Sequence, residues 1–436
     1  MPSRSLMTCR VASMTNWPRV VDDLLHRDMA GLAAIALAGA KGVGKTATAI
    51  RRAATVLSLV DPRTRAAVAA NYDLVAQLDG PVFIDEWQLE PTVWDRVRQA
   101  VDQDPLAGGR FLLAGSAGVA PGAWIHSGAG RIVSLQLRPM ALSERGIEQP
   151  AVSLRALATG GAGLVGSTVL GVKDYVEEIL RSGFPGIRPL AEEHRGRQLD
   201  GYVTRMVQHE MPQNGITVRR LEAPRAWLRA YAAATGSTAD YTKILSAATA
   251  GEGDKPARAT VDAYREHPRR LFLLEPLEAW IPMFSPLSRL TGRPKHYLVD
   301  PALAARLVGV DARGLLTGEG ETIAPGTATW LGALLESLAV QSVRVYADAI
   351  NAQVGHLRTK EGEHEVDIVV ELPDGSCVAI QVKAADTVGD RDLKHLRWLA
   401  AKLGDRLVDQ VVLYAGAHAY RRRDGVAVVP LALLGP

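Results

Sequence analysis

Residues 33–38 form an unbroken apolar run closed by a glycine-rich turn. That pattern predicts a strand buried on both faces of a parallel sheet. Residues 16–30, just ahead, carry the spacing of a short amphipathic helix. After the turn, 46 to about 56 reads as a helix, and 92–101 as another. Short apolar runs at 56–60, 82–84 and 111–114 predict further buried strands, and the alternation at 132–137 predicts a strand that closes the sheet. Strands separated by helices imply an open, mostly parallel α/β sheet. Residues 151–172 shift to Gly, Ala and Pro and read as a linker, residues 173–320 as mainly helical, and residues 321–436 as a helix followed by strands and turns.

The 436-residue length fits two to four domains at roughly 100–200 residues each. Apolar residues make up 47% and charged ones 22%, which excludes a disordered chain. The net charge of +3 neither demands nor excludes nucleic acid. Two cysteines, Cys9 and Cys377, exclude a disulfide scaffold and a cysteine-based zinc site, and point to a reducing cytoplasm. The apolar run 32–40 is about half the roughly 20 residues of a membrane span, and glycines interrupt 155–172. The N-terminus lacks a basic region leading into a long apolar core, which argues against secretion.

Gly39-Ala40-Lys41-Gly42-Val43-Gly44-Lys45-Thr46 fits G-x-x-x-x-G-K-[ST] in full, between an expected strand and an expected helix. The glycines let backbone N–H groups wrap around phosphates. Lys45 is expected to reach the β- and γ-phosphates of ATP, and the Thr46 hydroxyl to sit on Mg²⁺. Val82-Phe83-Ile84-Asp85-Glu86 is the partner motif. Asp85 at the strand end is expected to hold Mg²⁺, and Glu86 to polarise the attacking water as general base. Ser116, which follows the expected strand 111–114 and Gly115, is a candidate γ-phosphate sensor, or a turn serine. Arg131 is a candidate phosphate contact in cis or across a subunit interface, or a surface arginine.

With Ile84-Asp85-Glu86-Trp87-Gln88, Leu113-Ala114-Gly115-Ser116 and Gly130-Arg131…Arg138-Pro139-Met140-Ala141-Leu142-Ser143-Glu144, the chain resembles prokaryotic AAA-type (AAA_14) ATPases that carry a C-terminal DUF4143 region. Further matches are Gly183-Phe184-Pro185, Tyr297…Asp300, Glu336 and Glu365-Val366-Asp367. Trp87 replaces a usual aliphatic residue and Gln381 a usual Glu. The resemblance covers most of the chain. It implies a AAA-like core, a winged-helix middle and a restriction-endonuclease-like end.

The middle unit offers three short helices, 227–235, 241–248 and 258–267, then apolar 271–274, proline-rich turns and strand-like 296–299. That order fits a winged helix–turn–helix. In a DNA reader the third helix enters the major groove. Arg258, Thr260 and Arg265 lie on it, while Arg269, Arg270, Arg289, Arg293 and Lys295 are available to backbone phosphates. The plainer reading is a domain that only packs between the other two. Gly161-Ala162-Gly163-Leu164-Val165-Gly166 matches G-x-G-x-x-G, but no strand precedes it, so it reads as linker.

In the last unit, residues 366–372 and 378–382 read as a hairpin around Pro373-Asp374-Gly375. Pairing Leu372 with Ser376 places Asp367 opposite Gln381, with Lys383 on the same face. A helix at about 333–343 offers Glu336. This set resembles the PD-(D/E)xK nuclease site. Glu336 and Asp367 would hold Mg²⁺, Lys383 would orient water, and Gln381 would coordinate through its carbonyl without charge. The alternative is a nuclease-like fold that binds DNA or a partner without cutting. Cys377 reads as packing, and Tyr420-Arg421-Arg422-Arg423 as a solvated turn.

The expectation is therefore an α/β chain of three units. A P-loop NTPase (AAA-like) parallel sheet spans 1–150, a helical winged-helix domain 173–320, and an α/β restriction-endonuclease-like domain 321–436. It would be a cytoplasmic, Mg²⁺-dependent ATPase that couples nucleotide state to a DNA-binding or DNA-processing end. The alternative is a non-catalytic nucleotide switch for a protein or DNA partner. No membrane contact is expected. A homo-oligomer stays open, because AAA-type sites are often completed by a neighbour.

Overall fold

The computed structural model describes residues 17–116, 128–160, 163–213, 222–250, 258–281, 292–317, 328–360 and 362–436. Five strands, β1 (Ala34–Ala38), β2 (Thr55–Ser58), β3 (Val82–Asp85), β4 (Phe111–Gly115) and β5 (Val133–Gln136), form a parallel sheet in the order β2-β3-β4-β1-β5. Alternate residues of its central strands feed two different cores, as the two-residue repeat of a strand requires. Ile35, Leu37, Phe83, Leu112 and Ala114 pack on one face. Ala34, Ala36, Val82, Ile84, Phe111 and Leu113 pack on the other, against Val93, Trp94, Val97 and Val101 of the helix Thr92–Gln103.

The chain departs from the expected elements in two places here, at the helix after the phosphate loop and at Pro62–Ala70. The helix after the phosphate loop ends at Ile50, because the following residues turn to pair β2 with β3. Residues 133–136 form β5, which closes the sheet at its edge beside β1, as the alternation predicts. The helix Pro62–Ala70 has no counterpart among the expected elements. Its start signal is nonetheless local: Asp61 accepts a hydrogen bond from the Arg63 N–H at 2.9 Å, and Pro62 opens the first turn.

The segment 151–172 is tied into the C-terminal part of the chain instead of running free. β6 (Val152–Ser153) pairs parallel with β14 (Leu434–Gly435), and β7 (Gly166–Ser167) pairs antiparallel with β12 (His418–Arg421). Residues 161–162, the start of the G-x-G-x-x-G match, lie outside the described residues. Helices Val172–Arg181, Glu192–Arg205, Glu222–Ala233, Tyr241–Ala248, Arg258–Arg270 and Pro301–Val308 follow. After Arg270, antiparallel bridges Leu274–Leu298 and Leu277–Lys295 fold the chain back on itself.

The last part holds a seven-stranded mixed sheet in the order β7-β12-β13-β11-β10-β9-β8. Its other strands are β8 (Gln353–Arg358), β9 (Glu365–Glu371), β10 (Cys377–Lys383), β11 (Leu407–Tyr414) and β13 (Ala427–Pro430). Ile368, Val370, Val378 and Ile380 face the helix Ala328–Asp348, while Val369, Cys377 and Ala379 face Leu396 and Leu399 of the helix Lys394–Leu403. The core that contains Ile35 and Leu37 continues without a break to Leu434. No helix among the described residues is long and apolar enough to cross a membrane.

Candidate nucleotide site and C-terminal carboxylate cluster

In a parallel sheet the loops that follow the strands gather at one edge. Here β1 leads into the phosphate loop, β3 ends in Asp85-Glu86, and β4, which lies between them, ends beside Ser116. Gly44 adopts φ +104°, a conformation that side chains resist, and this turns the chain so that Lys45 opens the next helix. The Lys45 ammonium donates to the carbonyls of Gly39 at 2.7 Å and Ala40 at 2.9 Å. Burial brings its pKa down to about 8, although Glu86 and Asp85 pull the other way. Thr46 Oγ1 donates to Asp85 Oδ1 at 3.1 Å, and burial pushes the Asp85 carboxyl up despite that bond.

Glu86 sits at φ +51°, an uncommon conformation for this residue type. Its carboxylate accepts from Ser116 Oγ at 3.0 Å and from Gln88 Nε2. Ser116 thus lies with Glu86, as its place at the end of β4 requires. Arg131 does not join this group. It precedes β5 and so stands at the opposite edge of the sheet, where its Nε meets Asp102 Oδ1 at 2.8 Å. That position removes the cis phosphate contact expected of it.

A cavity of about 600 Å³ opens over the loop. Lys41, Gly42, Gly44, Lys45, Thr46 and Glu86 line it, together with Trp17, Arg19, Arg51, Pro185 and Gly186. The volume lies in the usual range of small-molecule sites, and the hydroxyl–carboxylate pair of Thr46 and Asp85 is an oxygen donor set of the kind Mg²⁺ takes.

Several of the residues around the loop were not singled out by motif. Arg19 bonds the Val43 carbonyl at 2.9 Å and the Arg138 carbonyl at 2.6 Å, and its Nε pairs with Glu144 Oε2 at 3.0 Å in a buried ion pair. Lys41 pairs with Glu210 at 2.6 Å and accepts from Tyr202 OH at 3.2 Å through its carbonyl. Glu210 ends a π-helical turn, Met206–Glu210, a feature frequent at functional sites. Gly183-Phe184-Pro185 was legible only as a family match. Its backbone is held by buried Asp300, whose Oδ2 accepts from the Gly183 N–H at 2.7 Å.

On the middle unit, the side chains of Arg258 and Thr260 lie outside the described residues, as does Arg289. Arg265 stacks its guanidinium 5.1 Å from the Tyr241 ring centre. Arg269 pairs with Glu278 at 3.1 Å, Arg270 with Glu266 at 3.4 Å, and Arg293 with Asp240 at 3.0 Å. Arg269, Arg270 and Arg293 are exposed at the surface, and each pairs with a carboxylate of the chain.

The C-terminal hairpin has the register derived from its turn. Leu372 N–H donates to the Ser376 carbonyl at 2.8 Å, and Glu371 pairs with Cys377 through to Ile368 with Ile380. Asp367 Oδ2 accepts from the Val382 N–H at 2.9 Å and from Gln381 Nε2. Glu336 also converges here. The cation that meets these carboxylates is Lys295, not Lys383. Lys295 Nζ lies 2.6 Å from Glu336, 2.8 Å from Glu365 and 3.0 Å from Asp367. Burial alone would lower the Lys295 pKa, but Asp367 and Glu336 hold it well above the usual value. Burial, with Asp367, pushes the Glu336 carboxyl up, and Tyr297 OH donates to it.

Lys383 is half-buried and its amine turns to Asp392 at 3.5 Å. Lys295 was expected at a DNA phosphate, yet it is buried, because the carboxylates stabilise its charge away from water. Among the described residues no group of three or more His, Cys, Asp or Glu side chains is arranged to hold a metal ion. The Mg²⁺ expected at Glu336 and Asp367 therefore does not fit the arrangement as it stands.

Residues 33–145 match the AAA domain family, 172–314 a domain of unknown function (DUF8612), and 331–434 another domain of unknown function (DUF4143). The chain thus contains a AAA domain and a DUF4143 region. The uncharacterized proteins Rv2008c of Mycobacterium tuberculosis and Mb2031c of Mycobacterium bovis are each 24% identical over 434 residues, covering 98% of this chain and 86% of theirs. The chain is also similar to a solved structure, the Walker-type ATPase PABY2304 of Pyrococcus abyssi. That likeness is 14% identical, with a TM-score of 0.39, and covers 66% of this chain and 94% of the other.

Proposed function

We propose that this chain is an Mg²⁺-dependent ATPase whose nucleotide state is transmitted to its middle and C-terminal parts. The observation that carries the reading is the grouping of Lys45, Thr46, Asp85, Glu86 and Ser116 at one sheet edge, with Thr46 already 3.1 Å from Asp85. Thr46 and Asp85 would hold Mg²⁺, which would neutralise phosphate charge. Lys45 trades its two loop carbonyls for β- and γ-phosphate oxygens. Backbone N–H groups of Gly39 to Thr46 cradle the phosphates. Glu86 takes the proton of the attacking water, with Ser116 and Gln88 positioning its carboxylate. Lys41, Tyr202 and Glu210 join the loop to the helical part, which supports transmission.

Glu86→Gln is the test: it should retain ATP binding while slowing turnover by roughly two orders of magnitude or more, the scale of a lost general base. Normal turnover by this variant would move the base elsewhere and remove the proposed role of Glu86.

A second reading concerns the C-terminal part, and the convergence of Glu336, Asp367 and Gln381 favours it. It is a nuclease-like domain that binds DNA or a protein partner and, with Lys295 among its carboxylates, does not cut. Metal-dependent cleavage of plasmid DNA by the wild-type chain, abolished by Asp367→Ala, would overturn the non-cutting form of this reading.

A further inference from the structure

The two edges of the seven-stranded sheet are finished differently. At β8 the segment 278–280 lies alongside. Trp280 N–H donates to the His356 carbonyl at 2.7 Å, and His356 N–H to the Glu278 carbonyl at 3.0 Å. At the other edge stands β7, and no strand among the described residues follows it.

The register of β7 determines what this edge presents. Gly166 pairs with Ala419 and Ser167 with His418, and Thr168 N–H donates to the Ala417 carbonyl at 2.8 Å. In an antiparallel ladder alternate residues turn their backbone groups toward the same neighbour. Gly166 and Thr168 therefore address β12, and the backbone groups of Val165, Ser167 and Val169 point to the open edge. Side chains follow the same two-residue repeat. Thr168 is buried and Ser167 exposed, while Val165 and Val169 are 84% and 96% exposed. Continuing the register places the exposed Tyr420 beside Val165.

An open edge is a template for another strand, and proteins commonly blunt it with charge or proline. Residues 156–172 contain neither. The outward set Val165, Ser167, Val169 is also a palindrome about Ser167. Two copies laid antiparallel across a two-fold axis would set Ser167 opposite Ser167, and Val165 of each copy opposite Val169 of the other. Each of these pairings joins residues whose backbone groups point at one another, so the ladder continues across the axis. Tyr420, Val165 and the second copy's valine would form one apolar row on the joined sheet.

We infer that β7 is a self-association edge: two copies of this chain pair their β7 strands antiparallel about Ser167 and join their seven-stranded sheets. A two-fold contact must be complementary to itself, and an uncharged palindrome meets no like-charge repulsion there. The inference lies beyond the nucleotide reading, because this edge belongs to the C-terminal sheet and not to the phosphate loop.

The experiment measures the mass of the nucleotide-free full chain by sedimentation from about 1 to 100 µM, the range of a weak interface. The wild type should pass from 46.7 kDa to twice that mass as concentration rises. Ser167→Pro removes an N–H that points to the open edge, and Val169→Lys places a charge there. Each should weaken the dimer at least about tenfold and leave the melting temperature and ATP turnover unchanged. If Ser167→Pro does not fold, Val169→Lys decides, since its side chain meets solvent.

Cysteine cross-linking reads the register, in a Cys9→Ser background because Cys377 is buried. Ser167→Cys should form a disulfide-linked dimer, since paired Cα atoms of this type stand about 5.5 Å apart, within the disulfide range of roughly 4.4–6.8 Å. Val165→Cys alone should not, because the two copies of residue 165 lie four positions apart, about 14 Å along the strand. A wild type that stays monomeric throughout overturns the inference and leaves the edge to a strand of another protein. So does a dimer that survives Val169→Lys unchanged, or one in which Val165→Cys cross-links as readily as Ser167→Cys.

Discussion

Lys45 lies beneath the loop carbonyls, where burial lowers its pKa to about 8 against the pull of Glu86 and Asp85. Its charged form is the one that attracts phosphate. Below pH 8 the free protein already carries that charge, and above it binding must draw in a proton. Affinity for a fluorescent ATP analogue should therefore be flat from about pH 6.5 to 7.5. It should then fall toward about tenfold per pH unit as pH rises past 8. Lys45→Ala should bind more weakly throughout and lose that slope.

Lys45, Thr46, Asp85 and Glu86 were legible as site candidates because loop and strand-end motifs are contiguous in sequence. Their grouping follows from one rule of parallel sheets. Arg131 stands before β5 with its side chain exposed and paired to Asp102, the surface position that is one of its two readings. Lys295 takes the carboxylate surroundings expected of Lys383, which turns to Asp392 instead. Which lysine meets a carboxylate depends on where a distant segment packs.

At the scale of elements, short loops are strongly determined and long connections weakly so. The Pro373-Asp374-Gly375 turn sets the hairpin register, and with it the contact between Asp367 and Gln381. The segment 151–172 misled because its paired stretches, β6 and β7, are two residues each, too short to leave a periodicity. Their backbone groups find partners in β14 and β12, which lie more than two hundred residues away in sequence.

The phosphate loop makes a comparable tertiary contact. A Cβ added at Gly39 would lie 2.2 Å from the Leu137 carbonyl oxygen, since β5 runs alongside β1. Gly39→Ala should cost about 1–3 kcal/mol, the scale of an overpacked core, and lower the affinity for nucleotide. Thermal unfolding and analogue titration check the two effects. A variant as stable as wild type would show that the loop can move away from β5 without penalty.

Across the whole molecule the expected three units share a continuous core and a buried polar network. Arg145 donates to the Glu178 carbonyl at 2.8 Å and to Gln341 at 3.1 Å, while Arg188 pairs with Glu178 at 2.7 Å. Arg145 comes from the sheet region, Glu178 from the helix Val172–Arg181, Arg188 from the turn that follows it, and Gln341 from the helix Ala328–Asp348. Burial alone would raise the Glu178 pKa, but Arg188 and Arg145 hold its carboxyl below the usual value. Glu178→Ala leaves two buried guanidiniums without their shared anion and should cost about 3–5 kcal/mol. Denaturant unfolding followed through intrinsic tryptophan fluorescence should move to lower denaturant as one transition. A variant that loses only one of two separate transitions would mean that the parts fold independently.

By itself the sequence determined the strand-and-helix alternation, the phosphate loop, its Asp85-Glu86 partner and the register of the C-terminal hairpin. Each of these is encoded by residues adjacent in the chain, through side-chain periodicity, backbone demands of glycine and turn geometry. Only the tertiary structure decided that Arg131 faces Asp102, that residues 151–172 complete the C-terminal sheets, and that Lys295 fills the carboxylate cluster. Those outcomes depend on which distant polar groups must satisfy one another once water is excluded, and no local pattern carries that information.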